Sequence, residues 1–317
     1  MAQFELRAAA AGRLSANAQG ALYMAAAALG FAVMNTIIRY LSADFEPLQI
    51  AFFRNVFALA FMLPWLSRVG VTGLRTQRLG THLWRAAIGF LSMVCWFYAI
   101  ALLPLAEAIS LNFTVPLFVT IGAALVLGEV VRLRRWSATI VGFLGVLIIV
   151  RPGFAEVTWP MALPILAAAL MAVAALIVKS LSATEPPAVV VVYMNLILTP
   201  LSLVPALFVW RWPDGWSLLL FLALGLVAAV AHIALTRSYA RADASAVMPF
   251  DYLRLPFVAV LGFLLFGELP DLWTWLGAAV IAAAAIYIAR REAQVARERP
   301  VAEAAREAAG HSTLGRD

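Results

Sequence analysis

Three charged side chains, Arg54, Asp251 and Arg254, stand inside apolar runs instead of at their ends. A guanidinium keeps its charge and can grip a carboxylate or phosphate through two parallel N–H donors. A desolvated carboxylate can take up a proton. Asp251 and Arg254 are three residues apart, so a helix puts them on one face. That spacing suits a salt bridge between the two, and equally a pair facing a water-filled cavity. For Arg54 the alternatives are a contact to an anionic solute and a structural ion pair. Asn35, Trp96, Tyr98, Asn112, His232 and Tyr252 are the polar and aromatic residues that could share such a cavity. The amides serve as ligand contacts or as interhelical hydrogen bonds worth roughly 1 kcal/mol each. His232 is a proton relay or a satisfied core histidine. Trp96 and Tyr98 floor a cavity or simply pack. Glu107 and Asn195 are further polar positions, and Glu129 and Glu268, at helix ends, read as structural.

The chain lacks the patterns of other chemistries. It has no nucleophile elbow, no HExxH and no Walker loop, which argues against an enzyme and against an ATP-driven pump. Its one cysteine, Cys95, excludes an internal disulfide or a cysteine-rich metal site and reads as packing. No cofactor or metal is expected.

The elements that must position these charges are membrane helices. Apolar residues make up 64% of the 317, charged residues 13%, and mean hydropathy is +0.93, far from the roughly 45–50% apolar and 25% charged of a soluble domain. Ten runs of spanning length can be drawn, near 20–41, 47–66, 84–103, 106–128, 136–152, 159–180, 187–209, 216–236, 244–266 and 271–290, each near the roughly 20 residues a helix needs. A charge at mid-depth costs about 2.5–3.5 kcal/mol on insertion scales, so Arg54, Asp251 and Arg254 call for a partner or a wet cavity. Pro249 frees the carbonyl of Ser245, Pro256 that of Tyr252 and Pro116 that of Asn112. Free carbonyls at that depth persist only where protein or cavity water satisfies them. The ninth span is therefore expected to be a broken helix.

Charge distribution orients the chain. With the N-terminus cytoplasmic, eighteen of the 23 Lys and Arg residues flank that side. They are Arg7, Arg13, Arg68, Arg75, Arg78, Arg85, Arg132, Arg134, Arg135, Lys179, Arg237 and Arg241, plus six from Arg290 to Arg316. Only Arg39, Arg151 and Arg211 flank the other, a positive-inside bias that puts both termini in the cytoplasm of a bacterial-type inner membrane. The net charge of +6 is thus topology, not a nucleic-acid footprint.

The chain also repeats itself. RYLSADFEPLQIAFFRN at 39–55 lies 140 positions before KSLSATEPPAVVVVYMN at 179–195, and Gly128-Glu129, Trp136 and Arg151 recur 139 positions later at Gly267-Glu268, Trp275 and Arg290. Five spans per copy is odd, so the second copy must be inserted upside down, an architecture of secondary transporters with a site at the repeat interface.

On AFFRNVFALAFMLP, YAIALLPLAEAISLNFTVPLF, VLGEVVRLRRW, YARADASAVMPFDYLRLPF and LLFGELPDLWTW, the chain resembles the drug/metabolite transporter superfamily, and within it proteins with two EamA domains. The resemblance covers about 20–290. It implies an all-α integral membrane protein of ten helices in two inverted five-helix repeats. These are 20–152 and 159–290, between a cytoplasmic segment 1–19 and a charged cytoplasmic tail 291–317. It also implies a central cavity contacted mainly by spans 1, 3, 4, 6, 8 and 9, and no enzymatic activity. The function implied is secondary transport of a small organic metabolite by alternating access; members export amino acids or import nucleoside-like compounds. The net positive charge of Arg54, Asp251 and Arg254 makes an anionic or zwitterionic solute the expected one. Small solute, lipid and protons are the expected partners, with no oligomeric state implied. A channel or a non-transporting membrane partner is the alternative reading, and a membrane-embedded enzyme the weakest.

Overall fold

A computed structural model describes residues 15–103, 108, 111–150, 159–266 and most of 272–290. Glu107, Glu268, most of the N-terminal segment and the tail lie outside the described residues. Eight helices follow in order: α1 Ala16–Leu41, α2 Pro47–Val69, α3 Leu79–Leu102, α4 Val115–Val126, α5 Leu133–Val150, α6 Ala162–Leu181, α7 Pro187–Leu207 and α8 Gly215–Arg241. The chain then forms a single turn, Ala244–Val247, a 3-10 stretch, Met248–Leu253, and α9, Arg254–Phe266. Among the described residues, seven helical stretches are long and apolar enough to cross a membrane.

Helix starts follow local chemistry. The Ser15 hydroxyl accepts from the Ala18 N–H at 3.2 Å, and the Asp214 carboxylate from the Ser217 N–H at 2.8 Å, satisfying donors that a helix start leaves free. Pro47 and Pro187 open α2 and α7, where a missing N–H costs nothing. Several boundaries differ from the sequence expectation, among them the end of α8, at Arg241 instead of 236. The Ser15 cap carries α1 back into the segment expected to be cytoplasmic. Likewise α3 begins at Leu79 instead of 84, which places Arg85 well past the helix start instead of at its edge.

The ninth span is interrupted as its prolines require. Pro249 and Pro256 lack N–H groups, and the backbone between them tightens into the 3-10 stretch that carries Asp251.

The two halves interdigitate instead of standing side by side. Helix α1 packs on α8 as α6 packs on α3, and α2 touches α8 as α7 touches α3. Helix α1 meets α9 as α6 meets α4, while α2 and α7 face each other. Small residues permit the closest approaches: a Cβ on Gly30 would come within 2.8 Å of the Ala231 methyl, and one on Gly225 within 2.8 Å of the Ala58 backbone nitrogen. In lipid, where burial of apolar groups drives no association, such backbone approach supplies the packing.

The helix ends are tied in two polar groups. Near the start of α2, Gln49 and Arg211 exchange hydrogen bonds, and Arg211 donates to the Asp44 carbonyl at 3.1 Å. Beyond the far end of α2, Arg78 bonds the Ser180 carbonyl and hydroxyl, both at 2.8 Å, and His82 meets Glu185 at 2.6 Å. At that same end Lys179 donates to the carbonyls of Tyr239 and Ala242, at 2.9 and 2.6 Å. Large apolar side chains such as Leu125, Phe208, Leu264 and Trp275 remain on the outer surface, as a lipid-facing surface allows.

Candidate functional site

A cavity of about 170 Å³ opens between the halves, lined from α1, α2, α3, α4, α6, α7, α8 and the broken ninth span. Its walls are mostly apolar. Phe31, Trp96 and Phe97 supply rings, and Met34, Met93, Met171, Met194 and Met248 supply thioethers. Five of the nine methionines of the chain are therefore here, a soft wall that can re-pack around different shapes.

Six of the residues singled out for their chemistry line this cavity: Asn35, Arg54, Trp96, His232, Asp251 and Arg254. Asp251 and Arg254 are bonded to each other at 2.5 Å. Arg254 is further held by the faces of Phe113 and Phe31, whose centroids are 5.2 and 5.9 Å from its guanidinium carbon, so a cation–π contribution adds to the ion pair. His232 packs edge-on to Phe31 at 5.2 Å. Arg54 is differently placed. It is 6% exposed, and its contact is the Met93 sulfur at 3.8 Å, with no carboxylate partner among the described residues.

The other three fall elsewhere. Tyr98 is 41% exposed and borders a lateral groove between α3 and α7. Asn112 is buried beside the cavity in a small side pocket that also reaches Asn35, Trp96 and Arg254; its amide points at the Met171 sulfur at 3.6 Å. Tyr252 is fully buried, with its ring packed where a Gly142 side chain would be and 5.8 Å from Phe113. Asn195 bonds the Val191 carbonyl of its own helix at 2.9 Å.

Several lining residues escape the sequence reading, among them Arg85, Ser92 and Tyr239. Arg85, counted there with the cytoplasmic flank, is 7% exposed and lines the cavity. The signal was present: Arg85, Gly89, Ser92 and Trp96 fall at i, i+4, i+7 and i+11, one stripe of a helix, and all four line the cavity. Tyr239, one stripe along from His232 and Leu235, also lines it, with its buried hydroxyl unbonded.

Glu129 holds the start of the ninth span. Gly128 adopts a left-handed φ of 65° just past α4, a conformation that favours glycine. The turn brings the Glu129 carboxylate against the N–H groups of Ala244 and Ser245 at 3.0 and 3.1 Å and the Ser245 hydroxyl at 2.7 Å. Arg135 adds bonds to Asp243 at 3.1 Å and to the Ser245 hydroxyl at 3.0 Å. The Gly-Glu pair is thus a clamp on the start of the broken helix.

A solved crystal structure superposes with a TM-score of 0.74, covering 86% of this chain and 98% of the other at 18% identity, a likeness of fold. A riboflavin transporter of Rhizobium johnstonii is 40% identical over 86% of this chain and 91% of its own length. One of Vibrio cholerae is 39% identical over 90% and 97%. An S-adenosylmethionine uptake transporter of Rickettsia prowazekii is 29% identical over 81% and 87%. The model of the EamA-like transporter family matches residues 18–151 and 158–290, one copy for each half. The chain is a multi-pass membrane protein, and it belongs to the EamA-like transporter family.

Proposed function

We propose that this protein is a secondary transporter of riboflavin, or of a flat ring compound closely similar to it, working by alternating access in a bacterial-type inner membrane. The observation that carries the reading is the 39–40% identity, across nearly the whole chain, to two riboflavin transporters. The cavity supports it. Aromatic and thioether walls suit a fused ring, and guanidinium donors suit its carbonyl oxygens. Asn35, Ser92 and Tyr239 offer partners to a polyol chain. A carbonyl-rich ring uses the same donors as the anionic or zwitterionic solute expected from sequence, without a formal charge of its own.

Counterflow of labelled riboflavin into proteoliposomes tests this. Uptake should saturate and be chased by unlabelled riboflavin, with S-adenosylmethionine a poor competitor. Exchange of S-adenosylmethionine without riboflavin would overturn the solute, and uptake that never saturates would favour a channel.

The alternating-access part rests on two inverted halves. Exchanging the halves maps the α1–α2/α7–α8 contacts through Gln49 and Arg211 onto the α2–α3/α6–α7 contacts through Arg78 and Ser180. Those contacts lie at opposite ends of α2, which supports a pseudo-two-fold that reverses direction across the membrane. Five helices per half would put both termini on one side, and the arginine bias makes that side the cytoplasm. Cysteines introduced at Thr76 and in the tail should resist an impermeant external thiol reagent, whereas one at Asp44 should react. Ready external labelling at Thr76 would refute the orientation.

A further inference from the structure

Two guanidiniums in the cavity have no counter-charge among the described residues. Arg54 and Arg85 are 6% and 7% exposed, yet neither has a carboxylate or a hydrogen-bonded oxygen among the described residues, and the Nε of each is unbonded. The one carboxylate among the described lining residues, Asp251, is taken by Arg254 at 2.5 Å. Among the described lining residues, three guanidiniums against one carboxylate leave two positive charges uncompensated. Arg54, Arg85 and His232 line the same cavity.

Their placement is accommodated by the backbone. A Cβ on Gly89 would stand 3.1 Å from Nη1 of Arg85, so the missing side chain gives the guanidinium room to lie along α3 toward the cavity. Buried like charges left unpaired are strongly unfavourable, whereas two planar forks converging on one space form the donor set that recognises oxyanions. A neutral ring with carbonyl acceptors would satisfy donors here but leave both charges uncompensated.

We propose that Arg54 and Arg85 form an anion subsite beside His232, filled by a small oxyanion. The anion comes either from solution, as a companion of a neutral solute, or from an acidic group on the solute itself. Only the choice between these two sources rests on the riboflavin reading; the subsite rests on the arginines.

The test titrates inorganic phosphate, at constant ionic strength balanced with gluconate, against the melting temperature of the purified full chain in uncharged detergent. Binding to the folded state raises that temperature in a saturable way. Arg54→Gln and Arg85→Gln should each weaken the response about tenfold or more, as expected for losing a charge-assisted hydrogen bond, while Arg211→Gln should leave it unchanged. Arg54→Lys and Arg85→Lys, which keep the charge without the fork, guard against loss of folding and should show an intermediate response. A parent without a saturable response, or one unchanged in both glutamine variants, overturns the subsite. Riboflavin added to the same titration then separates the sources: mutual enhancement identifies a free companion anion, and competition identifies a group of the solute in the subsite. If riboflavin itself produces no response while phosphate does, the subsite stands and the solute reading fails.

Discussion

Arg254→Ala should abolish transport and destabilise the protein, while the double variant Asp251→Asn/Arg254→Ala should recover stability without recovering transport. The single change leaves Asp251, 6% exposed, as a buried carboxylate deprived of the partner 2.5 Å away. Removing one member of a buried pair costs about 3–5 kcal/mol, whereas replacing both with neutral groups is often close to neutral. Detergent-phase thermal melts read the first quantity and riboflavin counterflow the second. Because Arg254 also spans the faces of Phe31 and Phe113 at the cavity wall, its loss removes a donor and a shaped surface at once. Return of transport together with stability in the double variant would make the pair a structural salt bridge and nothing more. Asp251→Asn by itself adds a finer test. If Asp251 carries the coupling proton, uptake driven by a pH gradient should vanish while counterflow persists, because exchange needs only the loaded carrier to reorient. Equal loss in both assays would assign Asp251 to solute binding instead.

Glu129→Ala should have the second large effect, on the equilibrium between closed and open forms. Its carboxylate accepts from two backbone N–H groups and the Ser245 hydroxyl, all within 3.1 Å, where the ninth span begins. Hydrogen bonds to a charged group contribute about 1.5–3 kcal/mol each, with less expected here because Glu129 is only partly buried. A net loss of about 2–3 kcal/mol would shift a closed–open equilibrium by roughly 30- to 150-fold. A cysteine placed at Ala175, in the cavity lining, should then react much faster with a thiol reagent applied from the Arg78 side, in protein that still melts cooperatively. Unchanged reactivity at Ala175 would show that the clamp holds the turn without controlling access. Lys179, which binds the Tyr239 and Ala242 carbonyls at the same end, should give a smaller change in the same direction on replacement by Met.

Much of this molecule is legible from one dimension. Spanning runs stand out because lipid demands some twenty apolar residues and internally satisfied backbone. Pro47, Pro187 and Asp214 mark helix starts by local chemistry alone. The interruption around Asp251 follows from Pro249 and Pro256, and the repeat follows from matched residues in the two halves. Each of these depends on neighbours in the chain.

Which way each helix is turned about its own axis was decided only by tertiary packing. A helix in water shows a polar face and an apolar face, so its sequence reports its rotation. A helix in lipid is apolar on both, since the acyl chains are as apolar as the protein interior. Trp96 and Tyr98, two residues apart on α3, therefore looked equivalent, yet one lines the cavity and the other borders a lateral groove. Tyr252 adjoins Asp251 in sequence but fills the space left by Gly142 on α5. Arg85 read as a flanking charge because the run of apolar residues begins near it; the helix starts at Leu79, and packing of α3 against α6 and α7 carries its guanidinium into the cavity. The amino-acid sequence by itself determined a membrane-spanning, twice-repeated helical chain with charges at depth. The close fit of glycines and side chains between the halves decided which of those charges share a cavity and which of them pair.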